Sequence, residues 1–170
     1  MSTKIRLAGI IRESIVDGPG IRMTVFTQGC PHHCKGCHNE QTWDFDGGYE
    51  TTVERIIEEA KKDKLIKGIT LSGGEPFIQA HACAELARQA KAMGLDIFCY
   101  TGYTFEKLYA DLDRHPEWEE LLKLCDMLVD GPFILEEKSL MLHFRGSKNQ
   151  RILDVPKSLA EGRAVLSEYH

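Results

Sequence analysis

Three cysteines stand close together in the stretch Gly29-Cys30-Pro31-His32-His33-Cys34-Lys35-Gly36-Cys37-His38-Asn39, with the spacing C-x3-C-x2-C. Thiolates bind both iron-sulfur clusters and zinc, and three of them on one short loop can grip one face of either. A closed site needs a fourth protein ligand, so a set of three leaves one position open for a substrate. Cys30, Cys34 and Cys37 therefore predict a [4Fe-4S] cluster with one accessible iron.

Two simpler interpretations compete with this one. The cysteines can be ordinary reduced thiols, or the loop can be a zinc-binding interaction module whose fourth ligand is one of three nearby histidines: His32, His33 and His38. Zinc sites usually carry two C-x2-C pairs, and the other cysteines of this chain stand alone: Cys83, Cys99 and Cys125. The spacing thus favours an open iron-sulfur site over zinc without excluding it.

Composition restricts the function class. At 170 residues, with 42% hydrophobic and 28% charged residues, we expect one domain over residues 1–170. The formal net charge of -5 argues against a nucleic-acid partner, and no apolar run reaches the roughly 20 residues that a membrane helix needs. The start of the chain is too short and too polar for a signal peptide, so the six cysteines predict reduced thiols and a cytoplasmic location.

The cysteine loop must be positioned by a regular framework. Strand-like runs are predicted at 7–11, 22–27, 69–72, 96–100, 127–130 and 152–155. Apolar stripes with helical spacing lie between them, beginning near a capping box of Thr51 and Glu54, a cap at Thr104 and a first-turn proline at Pro116. Strands that alternate with helices predict an α/β fold with a parallel sheet and right-handed crossovers.

Several motifs follow the carboxyl ends of these strands, where α/β folds build their sites. The cysteine loop follows the run 22–27, Ser72-Gly73-Gly74-Glu75-Pro76 follows the next, and Thr101-Gly102-Tyr103 follows the run 96–100. Two adjacent glycines allow a backbone to approach a ligand closely. The cysteine loop thus follows the carboxyl end of a predicted strand, as the sites of α/β folds do.

The ordered set of motifs resembles a known family. Further elements are Ser14-Ile15-Val16-Asp17-Gly18-Pro19-Gly20-Ile21-Arg22, Val129-Asp130-Gly131-Pro132-Phe133 and Phe144-Arg145-Gly146-Ser147-Lys148-Asn149-Gln150-Arg151-Ile152. The cysteine spacing is the signature of the radical S-adenosylmethionine superfamily. Together the motifs resemble the activating proteins of anaerobic (class III) ribonucleoside-triphosphate reductase, and this resemblance extends from about residue 9 to residue 155.

The resemblance implies a fold, cofactors and site residues. The implied fold is a partial radical S-adenosylmethionine β/α barrel with parallel strands, and the implied cofactors are a [4Fe-4S] cluster and S-adenosylmethionine. Cys30, Cys34 and Cys37 match the metal ligands. The positions that match the family's cofactor contacts are Gly36, Cys37, His38, Gly73, Gly74, Glu75 and Thr101. His38 stands where the superfamily commonly has an aromatic residue, so an adenine contact there departs from the usual pattern.

The resemblance also implies an activity. The cluster would cleave S-adenosylmethionine reductively, and the resulting 5′-deoxyadenosyl radical would take a hydrogen from a glycine of the reductase. The implied partners are that reductase and a low-potential electron donor such as flavodoxin. Hydrogen abstraction by a radical needs no acid or base, so we nominate no catalytic residue beyond the cluster ligands. The related alternative is an activase of another glycyl-radical enzyme, such as pyruvate formate-lyase.

Overall fold

A computed structural model describes residues 2–170. The seven strands are β1 (Lys4–Ser14), β2 (Arg22–Thr27), β3 (Tyr49–Thr52), β4 (Gly68–Gly73), β5 (Asp96–Tyr100), β6 (Met127–Asp130) and β7 (Arg151–Asp154). The α-helices are α1 (Val53–Lys61), α2 (Ala80–Ala92), α3 (Phe105–Ala110), α4 (Pro116–Leu124) and α5 (Val155–Glu161). Short 3-10 turns occur at Glu40–Thr42, Pro76–Gln79 and Leu135–Glu137.

The strands form one sheet in the order β3-β1-β2-β4-β5-β6-β7. The central strands β2, β4, β5 and β6 are parallel, as the alternation of strands and helices predicts. The prediction of parallel strands is wrong at both edges, because β1 is antiparallel to β2 and β3, and β7 is antiparallel to β6. The short connection 15–21 returns β1 onto β2, and antiparallel neighbours need no helical crossover between them.

One face of the sheet packs against helices. Val25, Leu71 and Cys99 of the parallel strands belong to one buried cluster together with the apolar faces of α1, α2 and α4. The apolar positions of α1 recur at helical spacing, which is why one side of this helix is buried and the other carries charge. This layer makes the central strands a rigid base for the loops at their carboxyl ends.

The opposite face of the sheet is covered by loops. Phe98 alternates with the helix-facing residues of β5 and forms a second, smaller cluster with Val129 and Ile152. The turn after β1 lies over this face, since the hydroxyl of Thr70 donates to the carbonyl of Asp17 at 2.6 Å. The Asp17-Gly18-Pro19-Gly20 turn is thereby fixed against the sheet instead of projecting into solvent.

Helix starts follow local capping chemistry. The hydroxyl of Thr52 accepts a hydrogen bond from the backbone N–H of Arg55 at 3.2 Å and caps α1. The predicted capping box of Thr51 and Glu54 is wrong, because Thr51 is paired with Ile5 inside β3. The predicted starts of α3 at its Thr cap and of α4 at its proline are confirmed. Across residues 2–170, no helix has the length and apolar character needed to cross a membrane.

Candidate iron-sulfur site

The cysteine loop leaves the carboxyl end of β2 and is closed by its own hydrogen bonds. Gly29 has a φ of 102°, in the left-handed region that glycine tolerates best. Its N–H donates to the carbonyl of Thr42 at 2.6 Å, and the N–H of Cys30 donates to the carbonyl of Trp43 at 3.3 Å. The amide of Gln28 donates to two further carbonyls of the loop at 3.0 and 2.6 Å. These bonds fix the backbone around the first cysteine.

One cavity of about 140 Å³ is lined by most of the site residues predicted from the sequence: Cys30, Cys34, Cys37, Gly73, Gly74 and Thr101. The last three come from the ends of β4 and β5, so the cysteine loop meets these strand ends at one edge of the sheet. The remaining cysteines, Cys83, Cys99 and Cys125, are buried in the helix-side cluster and do not line this cavity.

The three thiols have different surroundings. Burial raises the pKa of the Cys30 thiol, and burial likewise raises the pKa of the Cys34 thiol. Both are therefore neutral at pH 7 without metal, and iron would bind by displacing their protons. The sulfur of Cys37 accepts a hydrogen bond from the N–H of Asn39 at 3.4 Å. Backbone N–H donors to cysteine sulfur are a common means of tuning iron-sulfur sites.

The end of β4 packs so closely against the start of the cysteine loop that positions 73 and 74 require glycine. Gly73 has a φ of 105°, and a Cβ at Gly74 would lie 2.4 Å from the carbonyl oxygen of Gly29. The N–H of Gly74 donates to the carbonyl of Thr27 at 2.9 Å, and the N–H of Glu75 donates to that of Gly29 at 2.8 Å. The two glycines therefore allow the end of β4 to pack and hydrogen-bond directly against the start of the cysteine loop. Both also line the cavity.

Glu75 lies beneath the cavity instead of in its wall. Its side chain is fully buried, and its carboxylate accepts hydrogen bonds from the Thr101 hydroxyl at 2.9 and 3.0 Å and from the Gly102 N–H at 2.8 Å. The same carboxylate lies 2.6 Å from Nε2 of His32. The backbone N–H of Phe77 also donates to it, at 3.1 Å. The carboxylate is thus occupied by protein donors, and it holds the cysteine loop, β4 and the turn after β5 together.

Gly36 and His38 lie on the outer side of the loop. Gly36 has a φ of 78°, and a Cβ there would lie 2.8 Å from the side chain of Leu135. His38 packs edge-on against Phe133, with ring centroids 5.6 Å apart, and lines a neighbouring cavity of about 520 Å³. Cys37 lines both cavities, so the second is an outward extension of the first.

Some residues of the cavity wall were not predicted. His32 and Trp43 line it from the cysteine loop, Tyr100 from the end of β5, and Phe133 and Gln150 from the last third of the chain. Gln150 belongs to the motif 144–152, one of those that carry the family resemblance. Trp43 carries no spacing signal. Phe133 and Gln150 reach the cavity because the last third of the chain returns to the ends of β4 and β5.

The donor set fits an iron-sulfur cluster. Three thiols on one cavity are what a four-iron cluster needs if one iron is to remain open. Among residues 2–170, no three His, Cys, Asp or Glu side chains converge closely enough to hold a single metal ion. A four-iron cluster sets no such condition, because each cysteine binds a different iron.

Comparison with known proteins identifies the family. The family model described as "4Fe-4S single cluster domain" matches residues 16–153. Proteins named "Anaerobic ribonucleoside-triphosphate reductase-activating protein" are similar to this chain at 40% identity in Vibrio cholerae, 35% in Escherichia coli strain K12 and 35% in Enterobacteria phage T4. These alignments cover 81%, 80% and 81% of this chain and 90%, 90% and 86% of those proteins, respectively.

The structural comparison supports no inference, whereas the family model and the named relatives bear on the alternative functions. The crystal structure of QueE from Escherichia coli aligns with a TM-score of 0.47 and 17% identity over 59% of this chain and 54% of that chain, too little to support an inference. The match to a cluster domain does not favour a zinc module, and the names of the relatives do not favour a pyruvate formate-lyase activase. The chain belongs to the family of anaerobic ribonucleoside-triphosphate reductase-activating proteins and contains a 4Fe-4S cluster domain.

Proposed function

We propose that this chain is an activase that cleaves S-adenosylmethionine reductively at a [4Fe-4S] cluster and generates a glycyl radical on anaerobic ribonucleoside-triphosphate reductase. The observation that carries the proposal is the cavity shared by Cys30, Cys34 and Cys37 with the ends of β4 and β5. Relatives of known name cover the same part of the chain, and their names specify the reductase as the protein they activate.

Cys30, Cys34 and Cys37 are the iron ligands in this proposal. The hydrogen bonds that close their loop fix the backbone around Cys30. A bound, reduced cluster would supply the electron that breaks the bond between the sulfonium sulfur and the ribose carbon, giving methionine and a 5′-deoxyadenosyl radical. The protein's part is to hold the reacting groups together and keep water away.

S-adenosylmethionine is assigned to the remaining walls of the two cavities. Gly73, Gly74 and Thr101 would contact its methionyl end, since they share the inner cavity with the cysteines. His38 would face its adenine end from the outer cavity, supported by the edge of Phe133. Gly36 would contribute the tight backbone turn between the second and third cysteines. Glu75 would act by holding the turn after β5 in place, because its carboxylate is already bound by protein groups.

A single radical S-adenosylmethionine domain over residues 1–170, built as a partial barrel, is part of the proposal. Two features support it: the sheet does not close on itself, its outermost strands being β3 and β7, and the face opposite the helices is covered by loops. A closed eight-fold barrel typically needs about 250 residues, more than this chain has. A partial barrel leaves a side opening, which suits a substrate that is a loop of another protein.

Exposed apolar side chains support a protein substrate. Ile15 and Val16 are 74% and 70% exposed, and Leu140 and Met141 are 90% and 89% exposed. Val16 and the neighbouring Leu142 line the outer cavity, so this apolar region borders the proposed cofactor site. Contiguous exposed apolar surface commonly marks a protein interaction site. A low-potential electron donor such as flavodoxin and a cytoplasmic location complete the proposal, and the six free cysteines agree with a reducing compartment.

Anaerobic reconstitution tests the proposal. The purified chain should take up iron and sulfide and become brown, and the reconstituted chain should be mixed with the reductase, S-adenosylmethionine and a reductant. We expect electron paramagnetic resonance to show a stable glycyl radical on the reductase. A Cys34→Ala chain treated in the same way is the control and should give none. A cluster-loaded chain that cleaves S-adenosylmethionine but never yields a radical on the reductase would contradict the proposal.

A further inference from the structure

The indole N–H of Trp43 is buried without a hydrogen-bond partner. Nε1 of Trp43 is one of three such side-chain atoms among residues 2–170; the others are Oδ1 of Asp96 and Nε of Arg145. Oδ1 of Asp96 lies 2.6 Å from the guanidinium of Arg22, so this oxygen has a charged neighbour. Of these three residues only Trp43 lines the cavity of the cysteines.

Two contacts hold Trp43 in place, one made by its ring and one by its backbone carbonyl. Its ring stacks on the imidazole of His33, with centroids 4.5 Å apart and planes 8° from parallel. His33 has a φ of 49°, a left-handed conformation that residues other than glycine seldom adopt. The carbonyl of Trp43 accepts from the N–H of Cys30. The ring is therefore fixed relative to the first cysteine.

Buried donors without partners are rare in folded proteins and call for an acceptor at the site. The acceptors that the cavity would contain under the proposed function are the thiolates and inorganic sulfides of the cluster. We propose that Trp43 contacts the cofactor, donating its indole N–H to a sulfur of the [4Fe-4S] cluster and stabilising the reduced form. Reduction adds negative charge to the sulfurs, so a hydrogen bond to them is stronger after reduction and raises the reduction potential.

The inference rests on the proposed cluster, and its test uses the reconstituted chain without S-adenosylmethionine or reductase. Trp43→Phe keeps an aromatic ring against His33 and removes the indole N–H together with the five-membered ring that carries it. Trp118→Phe is the matched control, since Nε1 of Trp118 donates to the carbonyl of Phe77 at 3.0 Å in the helix-side core. The measurement is a redox titration of the cluster followed by electron paramagnetic resonance, with iron and sulfide content determined on the same samples.

We expect Trp43→Phe to keep the iron content of the wild type and to shift the midpoint potential to a more negative value, with Trp118→Phe unchanged. An unchanged potential in a fully loaded Trp43→Phe chain would overturn the inference. If the wild type itself takes up no cluster, the proposed function fails; if only the potential shift is absent, this inference alone fails.

A second measurement covers the case in which Trp43→Phe does not hold a cluster. The chain contains two tryptophans, so Trp43 is the only indole left in the Trp118→Phe chain. Electron-nuclear double resonance on that reduced, cluster-loaded chain, with 15N-labelled indole, should detect coupling to the indole N–H. The absence of any indole coupling would overturn the inference without any substitution at Trp43.

Discussion

Nε2 of His32 lies 2.6 Å from Oε1 of Glu75, and this contact joins the cysteine loop to the end of β4. The same carboxylate accepts from the hydroxyl of Thr101 and the N–H of Gly102 at the end of β5. A Cβ at Gly102 would lie 2.4 Å from the His32 ring, which explains the glycine at that position. One buried carboxylate therefore sets the relative positions of three motifs that are far apart in the sequence.

Glu75→Gln tests this bonding arrangement. An amide offers one acceptor oxygen and an NH2 group that faces donors, so buried groups lose their partners at a cost of about 1–3 kcal/mol. We expect a lower unfolding free energy by chemical denaturation and a lower iron content after reconstitution. Glu58→Gln, at an exposed position of α1, is the control and should change neither. Unaltered stability of Glu75→Gln would show that the carboxylate is not what holds the three motifs together.

Single alanine substitutions should separate the six cysteines into two groups. Cluster binding should be lost at Cys30, Cys34 and Cys37, because these line the cavity. The buried core cysteines Cys83, Cys99 and Cys125 should keep the cluster when replaced, with a modest loss of stability of about 1 kcal/mol from lost packing. Iron and sulfide per chain and the visible spectrum are the measurements. Cluster loss in a Cys99→Ala chain that remains folded by circular dichroism would contradict the assignment.

Gly74→Ala should affect both the cluster and S-adenosylmethionine. The new Cβ would meet the carbonyl oxygen of Gly29 at 2.4 Å, so the cysteine loop must move. We expect destabilisation of about 1–3 kcal/mol together with lower iron content and weaker binding of S-adenosylmethionine by calorimetry. Gly9→Ala is the matched control, because a Cβ at Gly9 has no heavy atom within 4 Å. A Gly74→Ala chain with full cluster occupancy and normal binding would show that the loop adapts freely.

Arg22→Met should be strongly destabilising. The fully buried guanidinium lies 2.6 Å from Oδ1 of Asp96 and donates to Thr70 at 2.8 Å and to the carbonyl of Pro19 at 3.0 Å. Removing one partner of a buried pair costs about 3–5 kcal/mol, and we expect the lower end because Asp96 is partly exposed. Denaturant unfolding measures this loss.

The matched control for Arg22 is Arg12→Met. Arg12 pairs with Glu59 at 3.0 Å, and its side chain is 75% exposed. Such surface pairs contribute at most about 1 kcal/mol, so the control should unfold at nearly the wild-type denaturant concentration. Equal losses of stability in the two variants would show that the buried network around Arg22 makes no special contribution.

The sequence predicted the central strands, because strand composition and turn chemistry are local signals. It did not predict β3, whose residues Tyr49–Thr52 form a strand only by pairing with β1. It also missed α5, which begins immediately after β7 at Val155. A four-residue polar strand is too short to carry a periodic signal, and the direction of an edge strand depends on tertiary pairing.

In the candidate site, too, some features were predicted from the sequence and others depend on tertiary contacts. The family resemblance implied that the backbones at Gly73, Gly74 and Thr101 would lie near the cysteines, and all three line the cavity. The side-chain contacts were not predictable, because the Glu75 carboxylate is already occupied by hydrogen bonds with Thr101 and His32. Trp43 is brought to the wall by hydrogen bonds between residues 29–30 and 42–43, which no local pattern encodes.

Isotope transfer from the reductase tests the central claim most directly. The reductase would be prepared with glycine deuterated at the α-carbon and mixed with the reconstituted chain, S-adenosylmethionine and a reductant under anaerobic conditions. If this chain is the activase, mass spectrometry should find deuterium in 5′-deoxyadenosine in proportion to the glycyl radical measured on the reductase. Cleavage that releases only unlabelled 5′-deoxyadenosine, while a small metabolite is consumed in step with the cofactor, would contradict the account.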